Sequence, residues 1–256
     1  MSSKVAFRRQ TGYGLAPFCW SDAVDLMRNI GAPAGGRASV AHARWRTAAI
    51  AIATIAVGFV VTAAAMAQPT FDRVGLLSSA DEAIREDLVG ADRHVLVVRH
   101  ARKADESCNA LECPLGENGL AMVARLDDLL GEPDFDAVYS TGACRTFETA
   151  SAAGVVLQHA AVARAPQMCG GGIAERSRDD AISDAINGDA RWTFVAEHSN
   201  TSCGWVEAIA GAEALGGTLC ESGQLTSADY GDIFWLYRLD GAWHVTELQE
   251  AFEVAD

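Results

Sequence analysis

The stretch His94-Val95-Leu96-Val97-Val98-Arg99-His100 is the most informative part of this sequence. Its apolar run, Val95 to Val98, is typical of a strand buried in a sheet. The pair Arg99-His100 falls at the carboxyl end of that strand, where open α/β sheets place their ligand sites. Alone, an arginine beside a histidine is a weak signal, because a surface salt bridge next to a satisfied histidine gives the same pattern.

Strands and helices alternate along the sequence downstream of this stretch. Asp240-Gly241 separates two further apolar runs, which is the signature of a type I′ hairpin. We therefore predict an α/β fold, a three-layer sandwich with a mostly parallel sheet, helices on both faces and a C-terminal antiparallel hairpin. The predicted strands are 94–99, 136–140, 162–166, 192–197, 230–239 and 242–248, and the predicted helices are 117–130, 142–153 and 176–187.

Three further motifs follow the Arg99-His100 pair in a fixed order. They are Leu115-Gly-Glu-Asn-Gly119, Val138-Tyr-Ser-Thr141 followed by Arg145-Thr146, and Phe194-Val-Ala-Glu-His198-Ser-Asn-Thr201. Each motif alone is common, but the combination resembles the histidine phosphatase superfamily, also called phosphoglycerate mutase-like, and in particular its small exported bacterial phosphohistidine- and heptose-phosphate phosphatase-like branch. The resemblance covers roughly residues 92 to 250.

The resemblance implies a role for four side chains. His100 is the nucleophile that takes up the phosphoryl group, since a neutral imidazole is nucleophilic near pH 7. Arg99 and Arg145 bind phosphate oxygens, Arg145 from the first turn of a helix whose N-terminal amides face the same anion. His198 contacts the phosphate and stabilises charge as phosphohistidine forms and breaks. The other histidines of the region, His94, His159 and His244, are interpreted as ordinary strand or surface residues.

The proton donor for the leaving group is less well marked. Many superfamily members use a glutamate after the third strand or an aspartate directly after the second histidine, and Ser199 excludes the latter here. Glu175, which follows Gly170-Gly-Gly172, is the positional candidate. Its alternative role is a charge at a helix N-terminus, and a reaction on phosphoramidate bonds needs no dedicated acid.

Several positions depart from the pattern of the superfamily. Arg102 stands where a glutamate is common, which puts the usual hydrogen bond at that position in doubt. Glu197 replaces a glycine before His198, and its carboxylate either raises the proton affinity of the imidazole or points into solvent. Lys103 and Asp105 resemble a variant found in exported members and either shape the mouth of the pocket or form a loop salt bridge.

Composition limits the kind of partner. The chain of 256 residues carries a net charge of −14, and residues 68–256 hold 13 Lys and Arg against 32 Asp and Glu, a net charge of −19. So acidic a domain is a poor partner for nucleic acid or an anionic membrane surface. A phosphate site must therefore be a local basic island made by a few arginines.

The N-terminal quarter has a different character. Residues 1–46 lack regular pattern and are expected to be disordered or a misannotated leader, with Met27 as an alternative start. The uncharged stretch 47–67 ends in Ala65-Met66-Ala67, which favours a signal peptide over a membrane anchor. Residues 68–91 are expected to connect it to a domain at 92–256, with a possible short helix from Ser79 to Val89.

Six cysteines follow the apolar stretch. An even number in an exported domain indicates disulfides, although six cysteines allow 15 pairings and buried free thiols are the alternative. Without a CxxC pair a zinc site is not expected. Pairing sequence neighbours gives Cys108–Cys113, Cys144–Cys169 and Cys203–Cys220.

The sequence thus predicts a periplasmic or secreted phosphatase, or one anchored to a membrane through 47–67. It would hydrolyse a phosphomonoester or phosphoramidate through phosphohistidine, without metal or cofactor. A phosphorylated small molecule, glycan or protein would be its substrate. Two alternatives stay open: a phosphatase for heptose phosphate in the lipopolysaccharide core, and a catalytically impaired module that binds a phosphorylated ligand.

Overall fold

A computed structural model describes residues 71, 73–132, 134–167 and 169–254 of the chain. The predicted leader, the apolar stretch 47–67 and its Ala65-Met66-Ala67 end lie outside the described residues. None of the helices in the described ranges is long and apolar enough to cross a membrane.

Seven strands form one mixed sheet in the order β4-β3-β2-β5-β1-β6-β7. The first five along the chain are parallel to one another, whereas β6 runs antiparallel to β1 and β7 antiparallel to β6. The predicted mostly parallel sheet with an antiparallel hairpin is thereby confirmed. The strands are β1 (Arg93–Arg99), β2 (Ala137–Ser140), β3 (Val156–Ala160), β4 (Arg176–Ser177), β5 (Trp192–Glu197), β6 (Ile233–Leu239) and β7 (Ala242–Leu248).

Helices cover both faces of the sheet. Alternate residues of β1 point to opposite faces, so Leu96 and Val98 join one hydrophobic cluster and Val95 and Val97 the other. α1, α2 and α3 contribute to the first cluster and α5 and α6 to the second, which gives the predicted three layers. The helices are α1 (Val74–Ser79), α2 (Arg85–Gly90), α3 (Glu117–Leu130), α4 (Cys144–Ala150), α5 (Arg178–Asn187) and α6 (Ser202–Ala210).

The parallel pairing of β1 with β5 brings the two histidine motifs together. Arg99 lies opposite Glu197 at the ends of these strands, and the His100 amide donates to the carbonyl of Glu197 at 2.8 Å. β2 flanks β5 on its other side, with Ser140 opposite Ala196. The carboxyl ends of three parallel strands therefore meet at one edge, as the topology of open α/β sheets requires for a ligand site.

Glycines explain the Leu115-to-Gly119 motif. A Cβ on Gly119 would lie 2.0 Å from the carbonyl oxygen of Arg102, so the first turn of α3 packs directly on the backbone that follows β1. The Gly116 amide donates to the same carbonyl at 3.0 Å. The motif thus fixes α3 against the segment that carries His100.

The hairpin turn also follows its sequence signal. Asp240 and Gly241 have φ angles of 51° and 81°, the two positive values that a type I′ turn requires. β6 and β7 are joined by this turn with Leu239 opposite Ala242.

One strand was placed wrongly from sequence. The third strand is Val156–Ala160, not 162–166, and residues 161–164 form a turn in which Arg164 has a φ of 65°. Gly154, at a φ of 127°, ends the preceding helical segment and lets β3 begin early. The small apolar residues at 161–166 have a pattern that predicts a strand, but they lie in the turn and loop that follow β3.

Residues 73–91, predicted as part of a connector, pack on the sheet. Leu76 of α1 and Leu88 of α2 are fully buried, and the buried guanidinium of Arg73 lies 3.7 Å from the ring centroid of Phe135. Helix forms at Val74–Ser79 and Arg85–Gly90, whereas the predicted helix ran from Ser79 to Val89.

All six cysteines of the domain are paired as neighbours in sequence. The Cα atoms of Cys108 and Cys113 are 6.0 Å apart, those of Cys144 and Cys169 4.8 Å, and those of Cys203 and Cys220 5.2 Å. These distances are typical of disulfides. The first two bridges tie the loop after β1 and the start of α4, and the third ties α6 to the segment that precedes β6.

An ionisable group is buried at the start of β6. Asp232 is 5% exposed and accepts a hydrogen bond from the Glu250 amide at 2.7 Å. Burial raises its pKa to about 6; the hydrogen bond from the Glu250 amide opposes this rise, and the neighbouring carboxylates Asp229, Glu247 and Glu250 add to it. Because the folded pKa lies above the unfolded one, this carboxyl contributes stability below about pH 4 that is lost as the pH rises through about 6.

Asp232→Asn should therefore stabilise the chain at pH 7.5, by roughly 1–2 kcal/mol. The amide oxygen can still accept from Glu250, while the buried charge is removed. The gain should vanish at pH 4, which urea unfolding of the full chain at the two pH values would measure. Asp189→Asn, at an exposed position, is the control and should show no such pH dependence. An equal effect of Asp232→Asn at both pH values would contradict the prediction.

Candidate active site

A cavity of about 310 Å³ opens at the carboxyl ends of β1 and β5. It brings together four of the five predicted site residues, which come from three separate parts of the sequence. Its lining consists of Arg99, His100, Lys103, Asn109, Arg145, His198, Ser199 and Asn200. Every ionisable side chain in this set is basic, which makes the predicted local basic island within an acidic domain.

The His100 ring is held in one tautomer by the backbone carbonyl of the next residue, Ala101. Its Nδ1 lies 2.8 Å from the carbonyl oxygen of Ala101, which can only accept, so Nδ1 carries the proton. The Ala101 amide is fixed in turn by the hydroxyl of Thr149 at 2.9 Å. The remaining nitrogen, Nε2, therefore bears the lone pair. Burial lowers the pKa of His100 to about 3, so the ring is neutral at pH 7.

Arg99 is clamped by contacts that leave part of its guanidinium free. Nη2 donates to the hydroxyl of Tyr230 at 3.1 Å, Nη1 donates to the carbonyl of Thr226, and the guanidinium carbon lies 3.9 Å from the Tyr230 ring centroid. The buried Nε makes no hydrogen bond to any of the residues that the structure describes.

Arg145 lies in the first turn of α4, as predicted, and is 7% exposed. Nη1 donates to the carbonyl of Ala110 at 2.8 Å, and Nη2 lies 3.3 Å from Nδ1 of His198. Its Nε is also buried, with no hydrogen-bond partner in the described part of the chain. Neither Arg145 nor Arg99 forms a salt bridge with a carboxylate of the described residues. Two buried cations with unsatisfied donors at one cavity are what an anion site requires.

His198 sits beside His100, with ring centroids 5.5 Å apart and the planes nearly perpendicular. Because Arg145 can only donate to Nδ1, the proton of neutral His198 lies on Nε2, which is 3.1 Å from the hydroxyl of Thr141. Thr141 in turn is 2.6 Å from the hydroxyl of Thr146. Burial and the charge of Arg145 lower the pKa of His198 to about 4.

Glu197 does not point into solvent, and its charge raises the proton affinity of His198, which is one of the two roles considered from sequence. Its side chain is fully buried and accepts from the Thr201 hydroxyl at 2.6 Å and the Trp205 indole at 2.8 Å. Oε1 also lies 2.9 Å from Nε2 of His159 on β3. Although burial raises the pKa of Glu197, these partners, with His159 foremost, lower it more and keep the carboxylate charged.

Glu175 is not brought to the other predicted site residues. Its side chain is 69% exposed, lies 3.7 Å from the guanidinium of Arg164, and lines a different cavity next to Phe147 and Gly170. The reason is the disulfide Cys144–Cys169, which ties the start of the glycine-rich turn to α4, while Glu175 leaves that turn on the outer side next to β4.

The loop after His100 is organised around Lys103. Its ammonium donates to the carbonyls of Glu106 at 2.6 Å and Cys108 at 2.9 Å, so Lys103 does shape the cavity mouth. Asp105 instead accepts from the Ser107 amide and hydroxyl. Arg102 turns away from the cavity and forms a salt bridge with Glu253 at 2.6 Å, so the hydrogen bond common in the superfamily is not made by this side chain.

Residues that sequence reasoning missed mostly support the ones it found. Tyr230 holds Arg99 and Thr149 holds the Ala101 amide, and no local pattern marks either contact because the partners lie 131 and 48 residues apart. Thr141, the last residue of the Val138-to-Thr141 motif, contacts His198. Asn200 lines the cavity and could have been read from the His-Ser-Asn-Thr run. Among the residues the structure describes, no group of three His, Cys, Asp or Glu side chains is arranged to hold a metal ion.

The disulfide loop 108–113 supports Arg145 directly. The Ala110 carbonyl accepts from Arg145, and the Leu111 carbonyl accepts from the Cys144 amide at 2.8 Å. The double variant Cys108→Ser/Cys113→Ser should therefore raise KM for p-nitrophenyl phosphate, and the inhibition constant of inorganic phosphate, about tenfold, with a smaller change in kcat.

Cys203→Ser/Cys220→Ser is the matched control, since this bridge joins α6 to residues 219–222 and touches neither arginine. It should lower Tm and leave KM unchanged. Unaltered phosphate inhibition in the first variant would show that the loop does not position Arg145.

No protein-family model matches the chain, and no curated protein matches it in sequence. Solved structures do. A protein from Agrobacterium tumefaciens named as the phosphohistidine phosphatase SixA is 20% identical with a TM-score of 0.40, covering 60% of this chain and 94% of that one. The alpha-ribazole phosphatase of Shigella flexneri is 15% identical with a TM-score of 0.39, covering 64% and 99%. The phosphoglycerate mutase of Bacillus anthracis is 11% identical with a TM-score of 0.39, covering 64% and 96%. These names are those of members of the histidine phosphatase superfamily, which the motifs of this chain resemble.

Proposed function

We propose that this chain is a phosphatase that works outside the cytoplasm and transfers the phosphoryl group of its substrate to His100. The observation that carries the proposal is the fixed tautomer of His100, with Nδ1 donating to Ala101 and Nε2 free beside two arginines. A nucleophile needs a lone pair held at the reacting atom, and the backbone supplies that arrangement without a second base.

Arg99 and Arg145 would bind the phosphoryl oxygens. Among the described residues their buried Nε donors have no partner, and both guanidinium groups are held by carbonyl and hydroxyl oxygens without a direct salt bridge to a carboxylate. Positive charge placed around the equatorial oxygens is the main contribution a protein makes to phosphoryl transfer. We therefore propose a reaction that needs neither metal nor cofactor.

The reaction has two steps. In the first, Nε2 of His100 forms a bond to phosphorus while the bond from phosphorus to the leaving group breaks, and the leaving group keeps the electron pair. Positive charge that develops on the ring strengthens the bond from Nδ1 to the Ala101 carbonyl. In the second, water attacks phosphorus, the N–P bond breaks, its electron pair returns to Nε2, and phosphate leaves with the water oxygen.

The state of His198 would change when phosphate binds. In the free site its Nδ1 accepts from Arg145, and its pKa is about 4. A bound dianion that drew Arg145 toward itself would free Nδ1, and the negative charge would favour the protonated ring. His198 could then donate to a phosphoryl oxygen in both steps.

The leaving group receives little help from the protein. No carboxylic acid is among the residues that line the cavity, and Glu175 lies at another. Substrates whose leaving group departs readily, such as phosphoramidates and aryl phosphates, would therefore be favoured over alkyl phosphates. The heptose-phosphate alternative requires an alkyl leaving group and is disfavoured on this ground.

Export is supported by the disulfides. Three cysteine pairs at bonding distance fit a compartment outside the reducing cytoplasm. We propose a periplasmic or secreted location, with the apolar stretch 47–67 as signal peptide or anchor. The substrate would be a phosphorylated small molecule, glycan or protein rather than a nucleic acid, since the domain is strongly acidic.

The nucleophile can be tested by substitution and trapping. His100→Ala should lower p-nitrophenyl phosphate turnover by about 10³-fold or more, since covalent catalysis at that atom is lost. Rapid acid-free quenching of the wild type with a ³²P-labelled ester should leave acid-labile label on His100. His244→Ala, at an exposed position on β7, is the control and should keep wild-type activity. Binding of phosphate without any turnover by the wild type would instead support a binding module.

The placement of Glu175 gives a second test. General acid catalysis is worth about 10²–10⁴-fold and matters most for poor leaving groups. Because its carboxylate lies outside the cavity of His100, Glu175→Gln should leave kcat/KM within about twofold of wild type for both p-nitrophenyl phosphate and an alkyl phosphate. A selective loss of alkyl phosphate turnover would restore Glu175 as the proton donor predicted from sequence.

A further inference from the structure

A second and larger cavity, of about 460 Å³, lies between the end of β3, the turn that follows it and the start of α5. It shares no lining residue with the cavity of His100. Its lining is Leu111, Thr141, Gly142, His159, Ala160, Ala161, Ala165, Pro166, Gln167, Arg178, Asp179, Glu197 and Thr201. Below, it is called the β3 cavity.

The β3 cavity adjoins the candidate active site at His198. Along the turn after β5, Glu197 and Thr201 line the β3 cavity, whereas His198, Ser199 and Asn200 line the other. Thr141 is part of its wall and lies 3.1 Å from Nε2 of His198. In the loop after β1, Asn109 lines the cavity of His100 and Leu111 lines the β3 cavity. Residues that line the two cavities therefore alternate along the same segments, so the two spaces are direct neighbours.

Apolar side chains make most of the wall of the β3 cavity. They are Leu111, Ala160, Ala161, Ala165 and Pro166. The three alanines leave space that larger side chains would fill. A cavity of about 460 Å³ is in the range of sites that bind small molecules.

The charged groups of the β3 cavity do not favour an anion. Arg178 is accompanied by Asp179 and by the buried carboxylate of Glu197. Glu197 is already matched by His159, whose Nε2 lies 2.9 Å from Oε1. A second phosphate or a nucleotide would meet as much negative as positive charge here.

One polar atom of the floor lacks a partner. His159 is 1% exposed, and its Nδ1 makes no hydrogen bond among the described residues. Buried polar atoms in proteins are nearly always paired, so an unpaired one at a cavity wall indicates a partner that arrives with a ligand. Gln167 adds a second polar group at the same cavity.

We infer that the β3 cavity binds the leaving group of the substrate, an uncharged and largely apolar ring that carries at most one hydrogen-bonding group for His159. The inference rests on the proposed function, since it takes the phosphoryl group to lie at His100. It also agrees with a site that supplies no carboxylic acid, because aryl groups leave without one.

Two aryl esters of similar leaving-group acidity test this, phenyl phosphate and 2-naphthyl phosphate. The additional ring of the naphthyl ester should bury enough apolar surface to raise kcat/KM about tenfold in the full wild-type chain. Ala165→Trp and Ala161→Trp should fill the cavity. In these variants kcat/KM for 2-naphthyl phosphate should be close to kcat/KM for phenyl phosphate. Val162→Trp, on the same turn but outside the cavity and 72% exposed, is the matched control and should keep the wild-type ratio.

The inhibition constant of inorganic phosphate should not change in any of the three variants, because phosphate occupies the other cavity. Ala161 is exposed, so its variant decides the matter if Ala165→Trp proves unstable in a thermal melt. The inference would be overturned if the wild type hydrolysed the two esters with equal kcat/KM, or if neither cavity variant changed the ratio of the two kcat/KM values.

If neither ester is hydrolysed, the proposed function fails and the cavity is judged by binding. Calorimetry would then compare 2-naphthyl phosphate with inorganic phosphate on the same chain. Tighter binding of the naphthyl ester that is lost in Ala161→Trp would still support an apolar ring site, and equal affinities would exclude it.

Discussion

The parallel pairing of β1 with β5 is the constraint on which the rest of this site depends. It sets Arg99 opposite Glu197 and fixes the His100 amide on the Glu197 carbonyl, so that two histidines almost a hundred residues apart in sequence have neighbouring rings. Both strands are buried on both faces, so a slip in register would disturb the packing of both hydrophobic clusters. The positions of the reacting groups are thereby set by the hydrophobic core and not by the loops around them.

Charge in this region is arranged by pairing acids away from the anion site. The buried carboxylate next to His198 belongs to Glu197, and it is held by His159, Thr201 and Trp205 and not by Arg145. Arg102 is engaged by Glu253. Arg99 and Arg145 are instead anchored by neutral oxygens. An acidic domain can in this way keep two arginines available for an anion without a surrounding basic surface.

Sequence reasoning succeeded where long apolar runs or special backbone angles decide the structure. β1, α3, β5 and the Asp240-Gly241 hairpin follow from such local signals, and α4 places Arg145 as its motif indicated. It failed at β3, because this strand is only partly buried, with Leu157 exposed, and so lacks the continuous apolar run that marks β1 and β5.

Glu175 could not be placed from sequence either, because the course of the glycine-rich turn is set by a covalent bond to α4. The hydrogen-bond partners of the site residues could not be predicted from the sequence either. Tyr230 lies 131 residues from Arg99, and Thr149 lies 48 residues from Ala101. Such contacts depend on the tertiary packing of the folded chain. From sequence motifs, only the arginines and histidines of the site can be recognised.

The two disulfides that flank Arg145 have a consequence for when the site comes into being. One shapes the loop whose carbonyl holds the guanidinium, and the other fixes the first residue of α4. A chain without these bridges would lose the covalent frame around one of its two arginines. On the proposed function and export, oxidation would then tighten phosphate binding as a late step of maturation, and a newly made chain would bind phosphate esters only weakly until its disulfides form.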